Sequence, residues 1–249
     1  MSEQLLEVSG LSRSFGGIAA TSDVSLKIAR GEIHAVIGPN GAGKTTLVAL
    51  LAGELAADSG TIRFRESDIT LDATPARARR GLARTFQVTS IFSEFSALEN
   101  VALAAQAHTG HSFRFWKPAA EDAALRQGAL EALQKVGLGD ASERNAGEMS
   151  HGEHRLLEMA MALATNPIML LLDEPAAGLG PEETAAMVDL LQVLKQDKGV
   201  LLVEHDMDVV FAIADRITVM VSGKTIATGS PTEIRKDDRV RKAYLGEEG

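Results

Sequence analysis

The sequence has no cysteine in 249 residues, which excludes disulfides and thiolate metal centres and suits a reducing cytosol. It has no excess of positive charge: 25 Lys and Arg stand against 34 Asp and Glu, a formal net charge of −9. That balance argues against a protein that works by gripping nucleic-acid phosphates, and no nucleic-acid partner is expected. No apolar run approaches the roughly 20 residues of a membrane span; Ile168 to Leu172 is strand-length and is followed at once by two acids. The start, Met1-Ser2-Glu3-Gln4-Leu5, lacks the basic residues and apolar stretch of a signal peptide. A chain soluble by itself is expected. Internal repeats and low-complexity segments are absent as well. What remains is a globular composition, 45% hydrophobic, long enough for one large domain or two lobes.

The most informative stretch is Gly38-Pro39-Asn40-Gly41-Ala42-Gly43-Lys44-Thr45-Thr46. It matches G-x-x-x-x-G-K-[ST] and lies between the apolar run Ile33–Ile37, read as a buried strand, and Thr46–Leu51, read as a helix. Glycines let successive N–H groups turn toward phosphate oxygens, and the helix N-terminus adds partial positive charge. Lys44 can reach the β- and γ-phosphates and the Thr45 hydroxyl can ligate Mg²⁺. The chain is expected to bind a nucleoside triphosphate.

The organisation around this loop is rhythmic. Leu5–Val8 and Val24–Ile28 read as strands, and Asp58-Ser59-Gly60 as a turn into Thr61–Phe64. Thr74-Pro75 reads as an N-cap and N1 proline opening a helix that carries Arg77, Arg79 and Arg80. From Ser96 to Ala164 the pattern is helical, broken by a polar, aromatic-containing loop at His108–Pro118. Strands and helices alternate afterwards: Ile168–Leu172, Pro181–Lys195, Val200–Val203, Met207–Ala214 and Ile217–Val221. A βαβ rhythm interrupted by helices implies a parallel-sheet lobe with a helical lobe inserted.

Candidate chemistry sits at strand ends. Asp173-Glu174 closes the run Ile168–Leu172, where open α/β sheets place ligands. Asp173 is suited to hold Mg²⁺ through its waters, and Glu174 to polarise an attacking water. His205, after Leu201-Leu202-Val203-Glu204, can hydrogen-bond a γ-phosphate, although a lone strand-end His is more often structural. Gln87 lies where the lobes would join; its amide can ligand Mg²⁺ or orient water, while by itself it reads as a loop glutamine. Ser150 and Glu153 form an S-x-x-E capping box, and Gly152 leaves room for a phosphate at the exposed amides.

Phosphate loop, glutamine loop, S-x-G signature, Asp-Glu strand end and switch histidine occur in the order found in ABC transporter ATPase subunits, and the chain resembles them over nearly its whole length. The finer pattern is similar to the branched-chain amino acid uptake branch, through Phe15-Gly16-Gly17, Arg84-Thr85-Phe86-Gln87, Asp173–Leu179, Glu204-His205-Asp206-Met207 and Ala243-Tyr244-Leu245-Gly246-Glu247. The resemblance implies an α/β fold: a P-loop NTPase (RecA-like) parallel-sheet lobe, with an N-terminal antiparallel β-subdomain and an inserted α-helical lobe. The catalytic lobe is expected at 1–87 and 166–249 and the helical lobe at 88–165.

The resemblance also implies a head-to-tail dimer, homodimeric or with a paralogous subunit. ATP and Mg²⁺ would lie between the Lys44 loop of one subunit and Ser150–Gly152 of the other, with Phe15 stacked on adenine. Catalytic roles fall to Glu174, His205 and Gln87; nucleotide contacts to Phe15, Gly38–Thr46, Ser150 and Gly152; metal contacts to Thr45, Gln87 and Asp173. Permease subunits would hold the protein at the cytoplasmic face of the inner membrane, an extracytoplasmic solute-binding protein would act indirectly, and the arginines near Gln87 would lie toward the membrane. A solvated helix face is the simpler expectation for those arginines.

The expected function is ATP hydrolysis driving import of branched-chain amino acids or a related small polar solute. Urea or amide uptake and a lipopolysaccharide-type exporter ATPase are alternatives. A soluble ABC protein acting on ribosomes or DNA, or a non-hydrolysing switch, fits less well. Two departures from the family pattern stand out. The usual L-S-G-G-Q is Met149-Ser150-His151-Gly152-Glu153, and Gly180 stands where Asp or Asn is common.

Overall fold

A long hairpin of β1 (Gln4–Phe15) and β2 (Ile18–Ala29) precedes β3 (Ile33–Ile37) and α1 (Lys44–Ala52). The strands β4 (Ser59–Phe64) and β5 (Ser67–Asp68) then complete a four-stranded antiparallel sheet of order β2-β1-β4-β5. The computed structural model describes residues 3–85, 91–109 and 123–245. After α2 (Thr74–Arg79) and β6 (Leu82–Arg84) come α3 (Ala97–Thr109), α4 (Ala123–Lys135), two 3₁₀ turns (Gly139–Ala141 and Ala146–Glu148) and α5 (His151–Leu163). The chain returns through β7 (Met169–Asp173), α6 (Pro181–Leu194), β8 (Gly199–Val203), α7 (Met207–Ile213) and β9 (Arg216–Val221). It continues with β10 (Lys224–Gly229), α8 (Pro231–Lys236) and α9 (Asp238–Leu245).

The second sheet has the order β10-β9-β3-β8-β7-β6. Its pairings are parallel except for β9–β10, which is antiparallel. Every residue of β3, β7 and β8 is buried, the signature of strands covered on both faces. Alternation within them sorts the layers. Met169, Leu171, Leu201 and Val203 face α1 and the antiparallel sheet, whereas Leu170, Leu172, Val200 and Leu202 face α6 and the helices of 97–163. A third cluster joins Ala35, Ile37, Ile217 and Val219 to α7, α8 and α9. Each fully buried Leu, Ile or Val contributes about 1.5–3 kcal/mol, so the central sheet is a well-packed platform for the loops at its edge.

Two local readings are corrected. The N-cap of α2 is Ala73, without a side-chain cap, and Thr74 is already helical. Pro75 therefore falls one position later than expected, still within the first turn where its missing N–H costs nothing. Arg77, expected on a solvated face, is 2% exposed. Its guanidinium donates to the carbonyls of Leu50 (2.7 Å), Leu51 (2.8 Å), Asp72 (2.8 Å) and Thr70 (3.0 Å). Leu50 and Leu51 lie in the last turn of α1, where carbonyls run out of intrahelical donors, although Leu50 O also accepts from Gly53 N–H at 3.2 Å. Arg77 is thus the C-terminal cap of the helix that begins at Lys44.

Candidate functional site

Because β3, β6, β7, β8 and β9 run in one direction, their carboxyl ends share one edge of the sheet. In register, Val36 lies beside Val203, Asp173 beside Val203, and Ile37 beside Val219. The loops that leave this edge carry Gly38–Thr46, Thr85, Glu174 and Glu204-His205.

The Gly38–Thr46 loop is shaped by close backbone approach. Gly43, the N-cap of α1, has φ +98°, and an ideal Cβ there would fall 2.0 Å from the Ala20 carbonyl oxygen in β2. A Cβ on Gly38 would fall 2.1 Å from the Met220 carbonyl oxygen of β9. No side chain fits either place. The loop closes with Ala42 N–H to Pro39 O (3.1 Å), and Gly223 N–H reaches Ala42 O (3.0 Å). The first bond from Gly43 O into the helix comes from Leu47 N–H at 2.9 Å, so the amides of Lys44, Thr45 and Thr46 stand ahead of the helical ladder. Asn40, Gly41 and Thr45 are exposed, Pro39 and Thr46 half-buried, and Ala42 buried. Lys44 is buried and folds its Nζ onto Gly38 O (2.7 Å) and Pro39 O (3.1 Å). Burial lowers its proton affinity, against the opposing pull of Glu174 and Asp173.

Asp173 ends β7, 3% exposed. Its Oδ2 faces Arg84 Nη2 at 3.3 Å, and Arg84 also pairs with Glu54. Its Oδ1 is buried with no hydrogen-bond partner. Burial raises the Asp173 pKa despite Arg84. Glu174 follows at φ +54°, a left-handed conformation costing a non-glycine residue about 1–2 kcal/mol. Its N–H donates to Val203 O (2.8 Å), and its Oε1 lies 2.7 Å from His205 Nε2. Glu174 and His205 thereby meet from the ends of adjacent strands.

Sequence reasoning passed over Glu204. It is 4% exposed; its Oε1 accepts from Ala176 N–H (2.9 Å) and its Oε2 from His205 N–H (3.1 Å). Burial raises its pKa, with backbone donors including Asp206 opposing. The available signal was an acid at the end of an apolar strand, the pattern that drew attention to Asp173.

The remaining candidates lie elsewhere or outside view. Gln87, and with it Phe86, lies outside the described residues, as does most of the His108–Pro118 break. Phe15 ends β1, 45% exposed, with the Arg13 guanidinium 5.1 Å from its ring centre. Ser150 caps α5: its Oγ accepts from Glu153 N–H (3.2 Å), and Glu153 Oε2 accepts from Ser150 N–H (2.8 Å). Glu153 also pairs with Arg144, so this departure from the family pattern serves the helix start. A Cβ on Gly152 would meet Glu183 Oε1 at 2.1 Å, and one on Gly178 would meet His151 Nε2 at 3.0 Å. Gly180 is the N-cap of α6, where Glu183 Oε2 accepts its N–H at 2.9 Å.

A glycine-braced loop between a central strand and a helix N-terminus, with a lysine beside it and two acids at a neighbouring strand end, defines a phosphate-loop nucleotide-binding ATPase. Comparison with known proteins agrees. The ABC transporter family model matches residues 21–177, and a branched-chain amino acid ATP-binding cassette transporter model matches residues 224–249. The chain is 41% identical to the high-affinity branched-chain amino acid transport ATP-binding protein BraF of Pseudomonas aeruginosa, over 99% of this chain and 100% of that one. It is 40% identical to LivG of Salmonella typhimurium with the same coverage, and 35% identical to the lipopolysaccharide export ATP-binding protein LptB of Escherichia coli, over 98% of each. A nucleotide-free ATP-binding cassette of an ABC transporter superposes with a TM-score of 0.88 at 30% identity, covering 98% of this chain and 100% of that one. An ATP-binding cassette in its ADP conformation gives 0.87 at 30% identity, covering 98% and 99%. The chain belongs to the ABC transporter family, as an ATP-hydrolysing, nucleotide-binding subunit. No helix among the described residues is long and apolar enough to cross a membrane.

Proposed function

We propose that the chain energises an importer of branched-chain amino acids or a related small polar solute, by hydrolysing ATP between two copies or between itself and a paralogue. The observation that carries the mechanism is the 2.7 Å contact of Glu174 Oε1 with His205 Nε2, at the edge where the Lys44 loop emerges. Identity of 41% to BraF against 35% to LptB favours import over lipopolysaccharide export, as does the family match over residues 224–249. Uptake of urea or an amide by the same machinery is a variant of this reading, since solute selectivity would reside in other subunits.

In this mechanism the amides ahead of α1 receive phosphate oxygens, and Lys44 turns from the Gly38 and Pro39 carbonyls to the β- and γ-phosphates. Phe15, exposed at the hairpin end, stacks on the base. Glu174 takes a proton from the attacking water as the new P–O bond forms, and the bond to the β-phosphate oxygen breaks. His205 holds that carboxylate and contacts the γ-phosphate. Ser150 and Gly152 of the partner subunit present the α5 amides to the same phosphate.

Among the described residues no group of three or more His, Cys, Asp or Glu side chains could hold a metal. The free, buried Oδ1 of Asp173 suits Mg²⁺, which keeps waters and phosphate oxygens and needs few protein ligands. Thr45, Asp173 and Gln87 would hold it, and when bound it neutralises charge on the β- and γ-phosphates.

Residues 1–87 and 166–249 act as the catalytic lobe and 88–165 as the helical lobe, which move against each other as the dimer closes. Between them runs a groove of 570 Å³ with apolar lining that includes Leu82, Phe92, Leu103, Ala107 and Met161. In this reading permease subunits seat there, holding the protein at the cytoplasmic face of the membrane, while a solute-binding protein acts from the other side. The test is co-purification with the permease subunits and ATPase assay with solutes bound by their receptor. Stimulation by a branched-chain amino acid supports the reading, and stimulation by urea or an amide selects the variant. Purification of the chain on ribosomes or DNA without a permease would overturn it.

A further inference from the structure

We infer that Glu204 is a positioning residue for hydrolysis: its buried carboxylate locks Glu174 and His205 into one closed unit. The inference rests on the proposed roles of those two residues and gives a role to a third, Glu204, to which the sequence reading assigned none.

The geometry is a ring. Glu174 is pinned to the end of β8 by its N–H to Val203 O at 2.8 Å, and it opens a turn closed by Ala177 N–H to Glu174 O at 3.1 Å. Inside that turn, Ala176 N–H points to Glu204 Oε1 at 2.9 Å. The other oxygen, Oε2, accepts from His205 N–H at 3.1 Å, and His205 Nε2 returns to Glu174 Oε1 at 2.7 Å. Going round from Glu174 through Ala176, Glu204 and His205 leads back to Glu174. The two candidate catalytic side chains are 33% and 43% exposed, whereas Glu204 is 4% exposed. The buried member holds the two that meet solvent and substrate.

The chemistry requires an acceptor at both ends. The backbone groups facing Glu204, those of Ala176, His205 and Asp206, are all N–H donors, and only a carboxylate accepts with both oxygens. Glutamine has nearly the same shape, yet its NH₂ must face an N–H at one end, which opens the ring. A positive-φ residue such as Glu174 keeps its conformation only when its surroundings over-determine it, so an opened ring lets the Glu174 turn relax. A displacement of order 1 Å at a reacting group costs roughly 10²-fold in rate.

The experiment compares the full-length wild type, Glu204→Gln, His205→Ala, the double variant and Glu174→Gln in steady-state ATPase assays. Expected for Glu204→Gln is a kcat lower by about 10- to 100-fold, with KM for ATP within twofold. In the His205→Ala background the same change should cost less than threefold, because one unit is already broken. A kcat within twofold of wild type, or equal losses in both backgrounds, would overturn the inference. Amide hydrogen exchange on the wild type gives a reading that needs no variant to fold: Ala176 N–H should exchange as slowly as the amides of β8, and exchange at the rate of an open loop overturns the ring. If Glu174→Gln hydrolyses ATP at the wild-type rate, the catalytic reading itself fails. If Glu174→Gln is inactive while Glu204→Gln is not, only this inference fails.

Discussion

His205 reaches Glu174 across two adjacent strands, Nε2 to Oε1 at 2.7 Å, although 30 residues separate them in the chain. The contact sets the first expectation. Glu174→Gln should retain ATP, lose turnover by at least about 10²-fold and accumulate as a dimer in ATP. His205→Ala should lose turnover comparably. Single-turnover kinetics with size-exclusion chromatography in ATP measures both, and wild-type turnover in Glu174→Gln would discard the mechanism.

Lys44 illustrates a group held for function against stability. Its ammonium is buried against two carbonyls, and burial disfavours its charge. Lys44→Met removes the desolvated charge, so the nucleotide-free variant should melt at or above the wild-type temperature. Its affinity for ATP should fall more than about tenfold, the loss of one charge-assisted contact. Calorimetric titration and a thermal melt on the same sample separate the two effects. A variant that binds ATP normally contradicts the role given to the loop.

Arg77 carries a purely structural expectation. Arg77→Ala removes the guanidinium donors to the carbonyls of Leu51, Asp72 and Thr70, and one of two donors to that of Leu50, which keeps Gly53 N–H, a loss of about 2–4 kcal/mol. For a chain of this size that corresponds to a melting temperature lower by roughly 4–16 °C. Arg79→Ala, in the same helix, should change stability by less than about 0.5 kcal/mol. Urea denaturation of the pair tests the contrast.

Asp173 links pH to stability in a definite direction. Burial raises its folded-state pKa above the unfolded value, so the folded state binds the proton more tightly. The favourable contribution is complete below the unfolded pKa and is lost as pH rises through the folded one. At neutral pH the nucleotide-free protein therefore carries the cost of a buried carboxylate. Asp173→Asn should match or exceed wild-type stability at pH 7, an advantage that vanishes as pH falls through the carboxylate range, while Mg²⁺-dependent turnover is lost. Melts from pH 4 to pH 8 show whether the two curves converge at the acid end.

Features written in one stretch of chain were legible from sequence. The strand, glycine loop and helix around Lys44 are contiguous, as are the strand run into Asp173-Glu174 and the Ser150–Glu153 capping box. The parallel sheet followed from the spacing of apolar runs. What escaped depends on closure in space. Arg77 is buried because α2 folds back on the end of α1, more than 20 residues earlier, and nothing local marks that one arginine of the cluster. Glu204 became visible only once β7 and β8 lay side by side. The hairpin of β1 and β2 runs far beyond the two apolar cores seen in sequence, since its outer residues are placed by pairing and not by burial. The elements β10, α8 and α9 were missed because their apolar residues complete a cluster begun by β3 and β9.

The bracing of the Gly38–Thr46 loop has a consequence for how the motif can be used. Ala20, Met220 and Gly223 leave no space for a Cβ at Gly38 or Gly43 and fasten Ala42 from outside. These neighbours come from opposite ends of the chain and from both sheets. Residues 33–52 are therefore not a portable cassette: transplanted onto another strand and helix they would keep their letters and lose their shape. The conformation belongs to the junction of two sheets, and shifting the β2 backbone at Ala20 or the turn at Gly223 would deform it as surely as changing Lys44 would disarm it.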